Sequence, residues 1–118
     1  PEHLGASNRA EEGFITGFMD LLFRANGRYY LVDFKTNLLA GYGADQLARS
    51  MDEADYHRQY RLYLHAVARW LKRVQGPRSK VEQQLGGVYY LYVRGMNGLD
   101  ESAGVFFHEP TKRDLDLK

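Results

Sequence analysis

Apolar residues crowd two adjacent stretches, Phe14 to Arg24 and Arg28 to Thr36, and the dipeptide Asn26-Gly27 separates them. Asn-Gly is the strongest short signal for a two-residue type I′ hairpin turn, so Ala25 is expected to pair with Arg28 and the register to run back from there. Both faces of these strands are apolar near Asp20, which predicts central positions in a sheet. Farther along, the period lengthens. From Glu53 to Val74, the residues Tyr56, Tyr60, Tyr63, Leu64, Val67, Trp70, Leu71 and Val74 form one stripe at about 100° per residue. Arg58, Arg61, His65, Arg69 and Lys72 occupy the opposite side, so this helix should lie on the sheet. A short helix is expected at Ala44–Met51, after Gly41 and Gly43, with Asp52 as N-cap of the long helix and Glu53 and Asp55 in its first turn. Gly76-Pro77 ends the long helix; a strand follows at Gly87–Arg94, then the turn Gly95-Met96-Asn97-Gly98 and a weaker strand at Gly104–His108. Residues 1 to 12 read as a polar lead-in, and Pro110–Lys118 as the opening of another helix.

The order strand, strand, helix, strand predicts an α/β (α+β) domain whose mixed sheet has a helix crossing over to a strand parallel to one hairpin strand. One domain accounts for all 118 residues. Sixteen basic and fifteen acidic side chains leave a formal charge of +1, so a nucleic-acid partner has to be argued from local placement. The absence of cysteine excludes a disulfide scaffold, thiolate metal sites and a cysteine nucleophile, and it fits a cytoplasmic location. The longest wholly apolar run, Val88 to Val93, is far too short to span a bilayer, and no signal-peptide layout opens the chain.

The candidate chemistry sits in the hairpin. Counting down the ladder sets Asp20 opposite Asp33, in a non-hydrogen-bonded pair with Cα atoms about 4.5 Å apart if the ladder is regular. Asp33 and Lys35 share one face and Phe34 the other, because strand side chains alternate. Like charges facing each other destabilise a sheet, so either one carboxyl takes a proton or a divalent cation lies between them. Asp20 and Asp33 offer hard oxygens suited to Mg²⁺, with Mn²⁺ as substitute, and with several waters kept in the shell. Lys35 could orient a metal-activated water or offset charge on a phosphoryl group. The plainer reading of Asp33 and Lys35 is a lateral salt bridge, yet such a bridge has no need of a second aspartate. The row Arg58, Arg61, Arg69 and Lys72 is either a solvated helix face or a set of DNA-backbone contacts. No P-loop is present, and a serine or cysteine nucleophile paired with histidine is unsupported.

Gly17-Phe18-Met19-Asp20, Val32-Asp33-Phe34-Lys35 and Gln59-Tyr60-Arg61-Leu62-Tyr63 resemble three successive motifs of the PD-(D/E)XK nucleases. With Gly86-Gly87-Val88-Tyr89-Tyr90-Leu91-Tyr92-Val93-Arg94-Gly95, the wording is similar to the RecB-type nuclease domain, from about Gly13 to Gly95. The resemblance implies a restriction-endonuclease-like fold and the magnesium-dependent deoxyribonuclease part of an exodeoxyribonuclease V beta subunit, a helicase/nuclease that processes broken DNA ends. It implies Asp20 and Asp33 as metal ligands, Lys35 as catalytic, and Gln59 and Tyr63 as the glutamine-tyrosine motif supporting the site. Implied partners are DNA, the remainder of the helicase/nuclease with its other subunits, and a recombinase. An alternative function is a catalytically incomplete module that docks such a recombinase. The family also carries a metal-ligand histidine on a helical segment upstream of the first aspartate. Only His3 precedes Asp20, in a lead-in without helical periodicity, so an N-terminally truncated fragment with lowered metal affinity is expected. His57, His65 and His108 are expected to be peripheral.

Overall fold

The computed structural model describes residues 19–100 and 102–115. The expected strand positions Phe14–Phe18, the polar lead-in with His3 and the last three residues lie outside the described residues. Strand β1 (Leu21–Ala25) turns at Asn26-Gly27 into β2 (Arg28–Lys35). Both turn residues have positive φ, 53° and 76°, as a type I′ turn requires. Helices α1 (Ala44–Glu53) and α2 (Tyr56–Gln75) follow, then β3 (Leu85–Tyr92) and β4 (Val105–His108). The sheet order is β1-β2-β3-β4, with β2 and β3 parallel and both outer pairs antiparallel. The crossover through α2 therefore joins two parallel neighbours, the expected mixed sheet.

The hairpin register is the one that the turn predicts, from Ala25 opposite Arg28 to Leu21 opposite Val32. Among the described residues, β2 is internal and no strand pairs with the outer edge of β1, whereas a central position was expected for both. The apolar second face of β1 has another explanation. Phe23, Tyr30, Tyr89 and Phe107 form an aromatic ladder across all four strands, with centroid separations of 5.3, 6.2 and 4.7 Å. No described helix covers this side. Gly86 and Gly87 leave room for it, since a Cβ at Gly86 would enter the Tyr30 ring and one at Gly87 the Phe107 ring. A register shift between Tyr29 and Tyr30, opposite these glycines, marks a bulge.

The other face carries the core. Leu31, Val88, Tyr90 and Tyr92 from the sheet meet Tyr60, Leu64, Val67, Trp70 and Leu71 of α2, and Leu47 and Met51 of α1. Each of the leucine, valine and methionine side chains contributes about 1.5–3 kcal/mol on full burial. Val74, expected in the stripe, is exposed in the last turn. Its helix stops at Gly76, whose φ of 105° disfavours any side chain and whose N–H closes on the Lys72 carbonyl at 2.8 Å.

Several boundaries differ from expectation, among them the start of β3, at Leu85 rather than Gly87. Asp52 is not the N-cap of the long helix: α1 runs to Glu53, and Asp55 at φ 56° makes the break before α2. The Asp52 carboxylate instead lies 2.8 Å from His57 Nε2, across that break. Strand β3 ends at Tyr92 rather than Arg94, because the chain tightens into a 3₁₀ turn at Val93–Gly95 and Arg94 Nε donates to the Thr36 carbonyl at 2.7 Å. The described tail holds a 3₁₀ turn at Arg113–Leu115, where an α-helix was expected.

Asp114 in that turn is buried and joins three elements. Its Oδ1 accepts from Arg61 Nε at 3.1 Å, and its Oδ2 accepts from the Thr111 amide at 2.8 Å and lies 2.7 Å from His108 Nε2. Burial pushes the carboxyl up, but the hydrogen bonds from His108 and Thr111 outweigh it and hold the group at about 2, against an ordinary 3.8. A depressed acid stabilises the fold above its unfolded value and loses that contribution as pH falls through the folded one. Asp114→Asn should therefore be less stable than the parent by about 2 kcal/mol at neutral pH, with the gap closing between about pH 4 and pH 2. Urea unfolding at each pH reads this out, and a gap independent of pH would contradict it.

Candidate active site

Asp33, on the helix-facing side of β2, is a carboxylate at 6% exposure in an otherwise apolar layer. Its Oδ2 accepts from the Tyr63 hydroxyl at 3.1 Å, and its Oδ1 lies 3.3 Å from Lys35 Nζ. Burial dominates its acidity and raises the pKa above the usual carboxylate range; Lys35 and Tyr63 pull the other way and Asp20 adds to the rise. Each of these influences has a plain origin. Desolvation penalises the charged form, a nearby cation and a donated hydrogen bond favour it, and a second carboxylate disfavours it. The Tyr63 phenol is pushed up by burial first and then by Asp33, so it stays a donor.

Lys35 is two residues on, in the same alternation, with a side chain 14% exposed. Its ammonium donates to Gln59 Oε1 at 3.3 Å, and that oxygen also accepts from the Tyr90 hydroxyl at 2.6 Å. Gln59 and Tyr63 are an i, i+4 pair on α2, so one helix face delivers both. Phe34 points to the opposite side of the sheet, where it is exposed.

Asp20 stands one residue beyond the end of the β1–β2 ladder, so a regular Asp20/Asp33 pair is not formed. In a continued ladder, the Phe34 amide would bond the Met19 carbonyl. Instead it donates to Asp20 Oδ2 at 2.7 Å, so a side chain takes over the next bond of the sheet. Asp20 is thereby fastened to the strand that carries Asp33, exposed to solvent and close enough to act on Asp33 electrostatically.

The basic residues divide. Arg61 Nε is bonded to the buried Asp114 carboxylate at 3.1 Å with its side chain 34% exposed, so, unlike Arg58, it also has a part in the fold. Arg58 is exposed, 3.9 Å from Asp55, and Arg69 and Lys72 are exposed on α2. His57 and His108 are partly exposed and flank Tyr60, His108 stacking on its ring at 4.6 Å. Sequence reasoning missed Tyr56 and Tyr90, whose rings lie 4.1 and 5.3 Å from Lys35 Nζ. Tyr56 was available as the i−3 neighbour of Gln59. Tyr90 needed the parallel register that sets it beside Asp33, which local sequence does not encode.

The family model of the PD-(D/E)XK nuclease superfamily matches residues 3–115. RecBCD enzyme subunit RecB of Haemophilus influenzae is 42% identical over 104 residues, covering 85% of this chain and 8% of that protein. The subunit of the same name from Escherichia coli is 36% identical over 102 residues, covering 83% and 9%. In Mycobacterium tuberculosis the figures are 38% over 120 residues, 90% and 11%. The chain thus spans about a tenth of the length of the curated relatives it matches.

Tyr63→Phe removes one hydrogen bond to a buried carboxylate and keeps the ring. It should lower stability at neutral pH by about 1–2 kcal/mol, read by urea unfolding; an unchanged midpoint would show that the bond does not support Asp33.

Proposed function

This chain belongs to the PD-(D/E)XK nuclease superfamily, and from that premise we propose that it is a divalent-metal-dependent deoxyribonuclease domain of a RecB-like helicase/nuclease, hydrolysing phosphodiesters as DNA ends are processed. The observation that carries the reading is the bonded network Asp33–Lys35–Gln59–Tyr63 beside Asp20. Similarity to RecB subunits supports DNA and the other subunits of such an enzyme as partners, and a recombinase is a further partner in the same proposal.

The donor set fits a small divalent cation. Two carboxylates, one solvent-facing and one drawn toward neutrality by burial, provide hard oxygens and gain from a nearby positive charge. Mg²⁺ takes one or two protein carboxylates and fills the rest of its shell with water and phosphate, so two aspartates are enough protein ligands for it. Asp20 and Asp33 would hold it. A Mg²⁺ or Mn²⁺ ion held there would supply Lewis-acid charge for a phosphoryl oxygen and would lower the pKa of water, so that hydroxide is available as nucleophile near neutral pH.

The chain's own residues supply the rest. Tyr63 fixes the Asp33 carboxylate in one orientation, and Gln59 fixes the Lys35 ammonium. Lys35 has a donor to give to a non-bridging phosphoryl oxygen, where negative charge grows in the transition state, and its low exposure strengthens that interaction. Arg58 and Arg69, exposed on α2, would meet backbone phosphates.

Cleavage of linear DNA with Mg²⁺ or Mn²⁺, by the chain or by a longer polypeptide carrying it, should fall by on the order of 100-fold or more in Asp33→Ala. Undiminished cleavage in that variant would refute the assignment. Metal should also raise the unfolding temperature of the parent and not of Asp20→Ala/Asp33→Ala, because a ligand bound only by the folded state stabilises it. No shift up to millimolar metal, with partner binding retained, would instead support the docking alternative.

A further inference from the structure

We infer that Tyr56 and Tyr90 form an aromatic clamp that positions the Lys35 ammonium, an inference that rests on the nuclease reading for what Lys35 does but not for where it is held. A lysine carries a compact charge on a flexible four-carbon stem, so its head has no fixed place unless neighbours provide one. Here the neighbours are two ring faces. Tyr56, in the first turn of α2, sets its ring centroid 4.1 Å from Nζ, and Tyr90, in β3, lies 5.3 Å away. Their own centroids are 5.4 Å apart at 30°. The negative face of an aromatic ring attracts an ammonium, most strongly where water is scarce, and Tyr90 has no exposed surface.

Both rings are themselves tethered. The Tyr56 hydroxyl accepts from Asn37 Nδ2 at 3.3 Å, which ties the ring to the segment following Lys35 on β2. The Tyr90 hydroxyl donates to Gln59 Oε1, the oxygen that also accepts from Lys35. Gln59 is thus oriented from behind, its carbonyl turned to the ammonium. Two of the three ammonium donors are directed to Asp33 and Gln59, which leaves one for a phosphoryl oxygen. Tyr56 and Tyr90 act through Lys35 and are positioning residues.

Proton NMR of the metal-free 118-residue chain tests the clamp without any need for cleavage. Protons above an aromatic face are shifted upfield, so the Lys35 Hε methylene should resonate upfield of the other lysines, keep that shift in Tyr56→Phe and lose most of it in Tyr56→Leu. A Lys35 methylene at the ordinary lysine position in the parent chain would overturn the inference, and this result needs no variant to fold. In an active polypeptide, Tyr56→Leu should lower kcat about tenfold with KM within about twofold, the mark of a misplaced group, and Tyr56→Phe should recover most of the loss. Equal kcat in Tyr56→Leu and the parent would count against positioning. Undiminished cleavage in Lys35→Met would instead overturn the role assigned to Lys35, leaving the clamp to be judged by the spectrum.

Discussion

The burial of one carboxylate constrains everything around it. Asp33 sits in a layer otherwise filled by leucine, valine, tryptophan and tyrosine, where an isolated ionised acid is strongly disfavoured. The surroundings answer with a hydroxyl from α2 and an ammonium from the same strand, and the balance still leaves the acid harder to ionise than usual. A group left in that condition is receptive to added positive charge. Catalytic sites gather such perturbed groups, and here the perturbation has a named cause on every side.

The architecture follows from that constraint. The β2 alternation presents Asp33 and Lys35 on one face, and α2 crosses that face so that Gln59 and Tyr63 reach them from four residues apart. Strand β3, parallel to β2, brings Tyr90 alongside Asp33 in register. The hairpin contributes Asp20 at the point where its ladder stops, with the Phe34 amide held by a side chain instead of a carbonyl. Charge elsewhere is handled separately. Asp114 gathers Arg61, His108 and Thr111 into a second buried carboxylate site, and there the donated bonds win, leaving a carboxylate easier to ionise than usual that fastens the tail to α2 and β4.

Local signals made much of this legible. Asn26-Gly27 specified the turn and the register from Ala25 to Leu21, since a type I′ turn, with positive φ at both positions, matches the strand twist. The 3.6-residue stripe specified α2 and the face it buries, and strand alternation specified the shared side of Asp33 and Lys35. What escaped reading depends on contacts distant in sequence. Arg61 looked like its exposed neighbour Arg58, and its bond to a carboxylate 53 positions away could not be read locally. Asp52 looked like an N-cap, but it turned to His57 while Asp55 took the left-handed break. The aromatic second face of β1 read as burial in the middle of a sheet, whereas it belongs to a ladder that no described helix covers. Tyr90 came to Lys35 through parallel pairing, which carries no local signature.

The central claim is that Asp20 and Asp33 together make a cation site next to the Lys35 ammonium. Anomalous scattering from crystals soaked in Mn²⁺ tests it most directly. The account predicts one strong peak contacted by carboxylate oxygens of both aspartates, with Lys35 still beside Asp33. Manganese bound elsewhere, or no peak near either aspartate at millimolar metal, would contradict it.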